Sequence, residues 1–299
     1  MKNKIVAFGE CMLELTKTVN QSYHLGYGGD TLNSAVYMAR AGADVTYYTA
    51  LGDDGYSDYL VDAWRSEGVK TNLVLRCEGK VPGLYIIDTD DEGERSFEYW
   101  RDNAPVRSII KDHPDALASL FEFDYLYLSG ITLSLFDDTD RTQIAEFVNR
   151  FRERGGVVAF DTNYRPKGWC SESQAKTTIA SFLKLVDIAL PSLDDEKELY
   201  GHQTLEDCVD HYRQLDVKEV IIKDGKNGCF ALIDGKLSHY PLTKVVSPVD
   251  TTSAGDSFNG AYLAAKADNC NVAQAIALGQ ECAAHVIQHP GAIVARKIQ

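Results

Sequence analysis

Short apolar runs alternate with amphipathic stretches along almost the whole chain. Residues 5–8, 45–50, 125–128, 157–160, 188–190 and 220–222 form largely apolar segments of strand length. They lack the in–out alternation of a half-exposed strand, which predicts strands buried on both faces of a parallel sheet. Between them lie helical patterns. Over 137–154, Ile144, Phe147, Val148 and Phe151 recur at i, i+3, i+4 and i+7, and Gly155-Gly156 follows as a stop. Helices are predicted in the same way over 31–41, 57–67, 205–214 and 256–267. Repeated strand–helix alternation makes the fold α/β, with a mostly parallel central sheet covered by helices on both sides.

Two stretches break the rhythm. Over 72–103 there is no helical stripe, but Leu84 and Ile86 alternate with Tyr85 and Ile87. Further on, Phe97, Tyr99 and Arg101 alternate with Ser96, Glu98 and Trp100. The intervening Asp90-Asp91-Glu92-Gly93 has hairpin-turn composition. A second short strand is predicted at 11–16. These segments read as a small antiparallel sheet inserted into one domain spanning 1–299, a lid with strands at about 11–26 and 72–107. A lid with an exposed sheet face predicts a homodimer joined through it.

Charge narrows the partners. The 299 residues carry 30 Lys and Arg against 44 Asp and Glu, a formal net charge of -14. That balance opposes binding to nucleic acid or an anionic membrane, and any anionic small substrate would need local cations. Seven cysteines, odd in number and without a C-x-x-C pair, fit free thiols rather than a disulfide framework. The N-terminal apolar run is too short for a signal peptide or a membrane span. A cytoplasmic protein is the expectation.

Three segments could carry chemistry. In 250–258, Asp-Thr-Thr-Ser-Ala-Gly-Asp-Ser-Phe, small residues precede Asp256 at a helix opening. Asp256 has two open readings: a first-turn acid that stabilises the helix, or a general base beside an anion cradle made by backbone N–H groups. In 26–33, a glycine turn leads into a helix and sets Asp30 and Asn33 three residues apart, on one face. It fails as a dinucleotide fingerprint, so a capping turn and a polyol-binding turn are both open. Lys223-Asp224-Gly225-Lys226-Asn227-Gly228 follows a buried strand and is either a plain turn or a ligand loop at the sheet edge. Cys282, His285 and His289 share a helical face, but nothing supplies a fourth metal ligand.

Taken in this order, the segments resemble the ribokinase-like (PfkB) carbohydrate kinases across essentially the whole chain. The stretch from Gly28-Gly29-Asp30 to Asp53-Asp54-Gly55 is similar to the family's N-terminal signature, and 250–256 to its D-T-x-G-A-G-D signature. The resemblance implies a three-layer α/β/α sandwich with a small β-sheet lid. It implies an ATP-dependent sugar kinase using Mg²⁺ held mainly by the nucleotide phosphates; no protein metal ligand is expected, because the family's N-x-x-E motif, tied to magnesium, is degenerate here.

Within the family, 9–15, 29–33, 82–85, 93–101, 125–130 and Asp161-Thr162-Asn163-Tyr164-Arg165-Pro166 resemble the branch acting on 2-keto-3-deoxy sugar acids. The implied reaction is phosphorylation of 2-dehydro-3-deoxy-D-gluconate at its terminal hydroxyl. Asp256 would be the base, with the N–H groups of Ala254, Gly255 and Asp256 stabilising the transferred charge. Gly29, Asp30 and Asn33 would bind hydroxyls, while Tyr85, Tyr99, Arg101 and Arg165 would orient the acid. Ser192, Lys223, Gly225, Gly228, Thr251, Ala254 and Gly255 would line the nucleotide site. Tyr99 and Arg101, at i and i+2, share a strand face, and two guanidinium groups in so acidic a chain suit a carboxylate-bearing sugar. Two positions depart from the family pattern: Ser253 replaces the usual glycine, and the N-x-x-E motif reads Ser192-Leu193-Asp194-Asp195. A kinase of 2-keto-3-deoxygalactonate or fructose, or a non-catalytic sugar-phosphate sensor on this fold, is the rival reading.

Overall fold

A computed structural model of the chain describes residues 2–17, 22–89 and 95–296. The chain opens with β1 (Lys4–Phe8), β2 (Met12–Lys17), β3 (Tyr23–Gly28) and α1 (Asp30–Arg40). Next come β4 (Asp44–Gly52), α2 (Gly55–Ser66), β5 (Lys70–Cys77), β6 (Leu84–Thr89) and β7 (Arg95–Trp100). Two short turns of helix, α3 (Ile109–Asp112) and α4 (Gly130–Ser134), flank β8 (Tyr125–Ser129). The alternation resumes with α5 (Asp138–Glu153), β9 (Val157–Asp161), α6 (Glu172–Leu183), β10 (Ile188–Ala189), α7 (Leu193–Tyr200) and α8 (Leu205–Leu215). The chain finishes through β11 (Glu219–Lys223), β12 (Cys229–Ile233), β13 (Lys236–Tyr240), α9 (Ala254–Ala267) and α10 (Val272–Val286).

Among the described residues, nine strands form the large sheet in the order β13-β12-β11-β10-β9-β8-β1-β4-β5. From β5 to β11 neighbouring strands run parallel, and β12 and β13 add an antiparallel edge. The apolar runs are explained by a core on each face. Val6, Phe8, Val158, Phe160, Val220 and Ile222 point into one. The intervening Ile5, Ala7, Ala159 and Ile221 point into the other. The stripe on α5 buries Ile144, Phe147, Val148 and Phe151, and Asp137 caps that helix by accepting from the Asp140 N–H at 2.9 Å.

The second sheet has four strands in the order β3-β2-β6-β7. It differs from expectation in two respects. It is mixed rather than antiparallel, because β2 and β6 run parallel. The chain returns between them through β4, α2 and β5 of the large sheet rather than through a hairpin, so both strands set out in the same direction. Moreover, the 72–77 portion of the expected lid belongs to β5, which pairs with β4. The turn predicted at 90–93 lies outside the described residues. Within this sheet Met12, Tyr85 and Ile87 pack with Phe97. Among the described residues, no helix is long and apolar enough to cross a membrane.

Candidate active site

In an open parallel sheet the crevice lies beyond the carboxyl ends of the strands, where the winding direction switches. Here the switch falls between β1 and β8. The residues just past the strand ends are Glu10 after β1, Asp161 to Asn163 at the end of β9, and Lys223 at the end of β11. Helices α1 and α9 begin over the same edge. Gly29 makes this possible for α1, because a Cβ there would stand 2.1 Å from the Glu10 carbonyl oxygen.

Asp256, in the first turn of α9, accepts a hydrogen bond from Asn33 Nδ2 of α1 at 2.9 Å. Asp30, the first residue of α1, accepts from Asn163 Nδ2 at 2.9 Å. Asp161 accepts from Lys223 Nζ at 3.1 Å and from Asn259 Nδ2 at 2.6 Å, and Asn259 Oδ1 accepts from Lys223 Nζ at 3.1 Å. Asn163 thus joins Asp30 to Asp161, donating its backbone N–H to Asp161 Oδ1 at 3.2 Å, and Asp256, paired with Asn33, lies in the field of Asp30, Asp161 and Lys223. Burial, aided by the nearby charge of Asp30, pushes the Asp256 carboxyl up to about 7. Burial raises Asp30 as well.

At the helix opening, Ser253 takes left-handed backbone angles, φ 62° and ψ 16°. That explains why glycine is the usual residue there. The expected cradle is reduced by one donor: the Ala254 N–H is already bonded to the Thr251 carbonyl at 3.2 Å. Gly255 and Asp256 are in the first turn, where N–H groups have no partner within the helix.

On the small-sheet side, Tyr85 and Tyr99 face each other across β6 and β7. The Tyr85 hydroxyl donates to Glu14. Tyr99 is 44 % exposed, and the Arg101 guanidinium lies 5.8 Å from its ring centroid. Both arginines expected to orient the acid have carboxylate partners. Arg101 forms an ion pair with Glu10, which is 4 % exposed. Arg165 bonds Asp195 Oδ1 at 2.9 Å. Each guanidinium still has donors to spare, and Glu10 also feels the cation Arg107 and the carboxylate of Asp30. Tyr99 lies in the field of both Arg101 and Arg165, so these three reach one side of the site.

On the other side of α9 opens a cavity of about 490 Å³. All of Ser192, Lys223, Gly225, Gly228, Thr251, Ala254 and Gly255 line it. Its remaining wall is largely apolar, with Leu242, Val245, Val246, Phe258 and Ile287, and two lysines, Lys226 and Lys244, also line it. Ser192 also caps α7, accepting from the Asp195 N–H at 3.1 Å, and bridges to Lys223. The structure adds Glu10, Asp161, Asn163 and Asn259 to the site. Asn259 could have been found, since it follows Asp256 by three residues on the same helical face.

The pfkB family carbohydrate kinase model matches residues 2–298. The 2-dehydro-3-deoxygluconokinase of Escherichia coli K12 is 41% identical over 306 residues, covering 99% of each chain. That of Dickeya dadantii is 40% identical, covering 97% of this chain and 96% of its own. Among solved structures, aminoimidazole riboside kinase from Salmonella enterica, complexed with aminoimidazole riboside and an ATP analog, superposes with a TM-score of 0.83 at 26% identity. That superposition covers 97% of this chain and 94% of the other. The chain belongs to the pfkB family of carbohydrate kinases and has the ribokinase-like α/β fold.

Proposed function

We propose that the chain transfers the γ-phosphoryl group of ATP to the terminal hydroxyl of 2-dehydro-3-deoxy-D-gluconate, giving 2-dehydro-3-deoxy-6-phospho-D-gluconate. The observation that carries this reading is the 41% identity, over 99% of both chains, to an enzyme named for that activity. The site geometry supports it. Asp256 stands between the small-sheet side, proposed for the sugar acid, and the 490 Å³ cavity, proposed for ATP. A carboxylate that titrates near neutrality, held by Asn33, suits removal of the hydroxyl proton as the oxygen attacks phosphorus in line. The Gly255 and Asp256 N–H groups, with Lys223, would stabilise the charge on the transferred group. Asp30 and Asn33 would bind sugar hydroxyls, with Tyr85, Tyr99, Arg101 and Arg165 around the acid group.

Magnesium is part of the same reading. Two carboxylates near Lys223, Asp161 and Asp195, already face Lys223 and Arg165. Such a donor set fits a hard cation carried by the phosphates and met by the protein through water. Bound there, the ion would offset phosphate charge. A cytoplasmic location and a dimer joined through the small sheet, where Trp100 is 57 % exposed, complete the proposal.

Coupled ADP release measured on a panel of sugar acids and neutral sugars tests it. The 2-keto-3-deoxy acid should give the highest kcat/KM. Preference for fructose or for the galacto epimer would overturn the substrate, and absence of turnover on any sugar would overturn the activity.

A further inference from the structure

One residue after Asp195, Glu196 points around α7 into the interior and is fully buried. Its Oε1 accepts a hydrogen bond from the Tyr212 hydroxyl at 3.1 Å, while Oε2 has no hydrogen-bond partner. His211 on α8 brings Nδ1 to 3.8 Å from that oxygen. His202, in the connection between α7 and α8, completes the group. The Nδ1 atoms of both histidines are buried and without hydrogen-bond partners. One ligating atom from each of the three residues lies within 4.8 Å of the others. Orphaned polar atoms this deep are uncommon, and three converging on one point call for a common partner.

We propose that Glu196, His202 and His211 bind a divalent ion of the zinc class, with water in the fourth position. One carboxylate and two imidazoles are a recurrent zinc donor set, and the nitrogens disfavour magnesium and calcium. Ligand atoms around tetrahedral zinc lie about 3.4 Å apart, so the widest separation must close by up to about 1.4 Å, within reach of side-chain rotation. Both histidines are only partly buried, which leaves a path for entry. Burial holds the Glu196 carboxyl at about 8 and depresses His211 to about 4. The ion would tie α8 to α7, the helix that carries Ser192 and Asp195 into the active site. It would act as a structural clamp, remote from phosphoryl transfer.

The test is titration of the chelator-treated, full-length chain with Co²⁺ and Zn²⁺. One equivalent of Co²⁺ should bind with the visible absorption of a tetrahedral complex and be displaced by Zn²⁺. His202→Gln and His211→Gln should keep the metal-free melting temperature and lose at least about 100-fold in affinity. Cys170→Ser, which removes an exposed thiol, should bind like the unaltered chain. Retention of full affinity in both histidine variants would place the ion elsewhere and overturn the proposal. So would the absence of saturable binding to the unaltered chain, which would reduce the group to packed rings. Should a variant fail to fold, the tetrahedral Co²⁺ absorption and Zn²⁺-dependent stabilisation in the unaltered chain decide alone.

Discussion

The two sides of Asp256 are built on opposite principles. Towards the small sheet, charged groups are paired: Glu10 with Arg101, Glu14 with Tyr85, and the half-exposed Arg165 with Asp195. Towards α10, the cavity wall is mostly aliphatic, and its charges are few. A site of paired, buried polar groups rejects a ligand that leaves them unmatched by up to ~10⁴-fold, whereas an apolar pocket separates similar ligands by only ~10–200-fold. Sugar selectivity therefore resides on the charged side, and the apolar side need only hold a nucleotide common to many kinases.

The largest effect should come at the boundary. Asp256→Asn should lower kcat by ~10²–10⁴-fold while leaving both KM values nearly unchanged. The same variant reports on burial. With the folded carboxyl near 7 against an ordinary 3.8, the native state binds the proton more tightly than the unfolded chain. This group's contribution to stability therefore falls as pH rises from about 4 to about 7. The variant should gain stability relative to the unaltered chain between pH 5 and pH 8 in denaturant titrations, and a flat difference would remove the buried-base account.

Next comes Arg101→Ala, expected to raise KM for the sugar acid by ~10²-fold and to leave KM for ATP alone. It strands the buried Glu10, a loss of about 3–5 kcal/mol were it not for Arg107. Adding Glu10→Gln should restore most of the stability and none of the KM. Equal damage to both substrates would abolish the contrast between the two sides.

On the apolar side, Ala284→Trp should fill part of the cavity and raise KM for ATP by about tenfold, 1.4 kcal/mol, with the sugar KM unmoved. Smallest is Ser253→Gly. Relief of left-handed strain, ~1–2 kcal/mol, is offset by the entropy glycine adds to the unfolded chain, ~0.5–1 kcal/mol. A net gain of up to about 1 kcal/mol in chemical denaturation is expected.

What could be read in the sequence was whatever depends on neighbours along it. The apolar strands at 5–8, 157–160 and 220–222, the α5 stripe, and the loops holding Asp30, Lys223 and Asp256 all follow from local pattern. Partnership did not follow. Arg101 and Arg165 were legible as cations, but Glu10 and Asp195 lie 91 and 30 residues away in sequence, and only the folded sheet edges bring them together. The cavity wall at 242–248 has no periodicity to betray it. The direction of β2 against β6 was equally hidden, because alternation gives a strand its faces and not its polarity.

That parallel pairing also orders events in time. Glu14 and Tyr85 are 71 residues apart, and the chain between them includes β4, α2 and β5. Closing so long a loop costs entropy before any contact repays it, so the small sheet should consolidate only after those elements have docked. Contacts that form late govern the rate of unfolding rather than that of folding. The charged half of the site is thus also the half that can open locally while the large sheet stays intact, a division of kinetic stability drawn along the same line as the division of specificity.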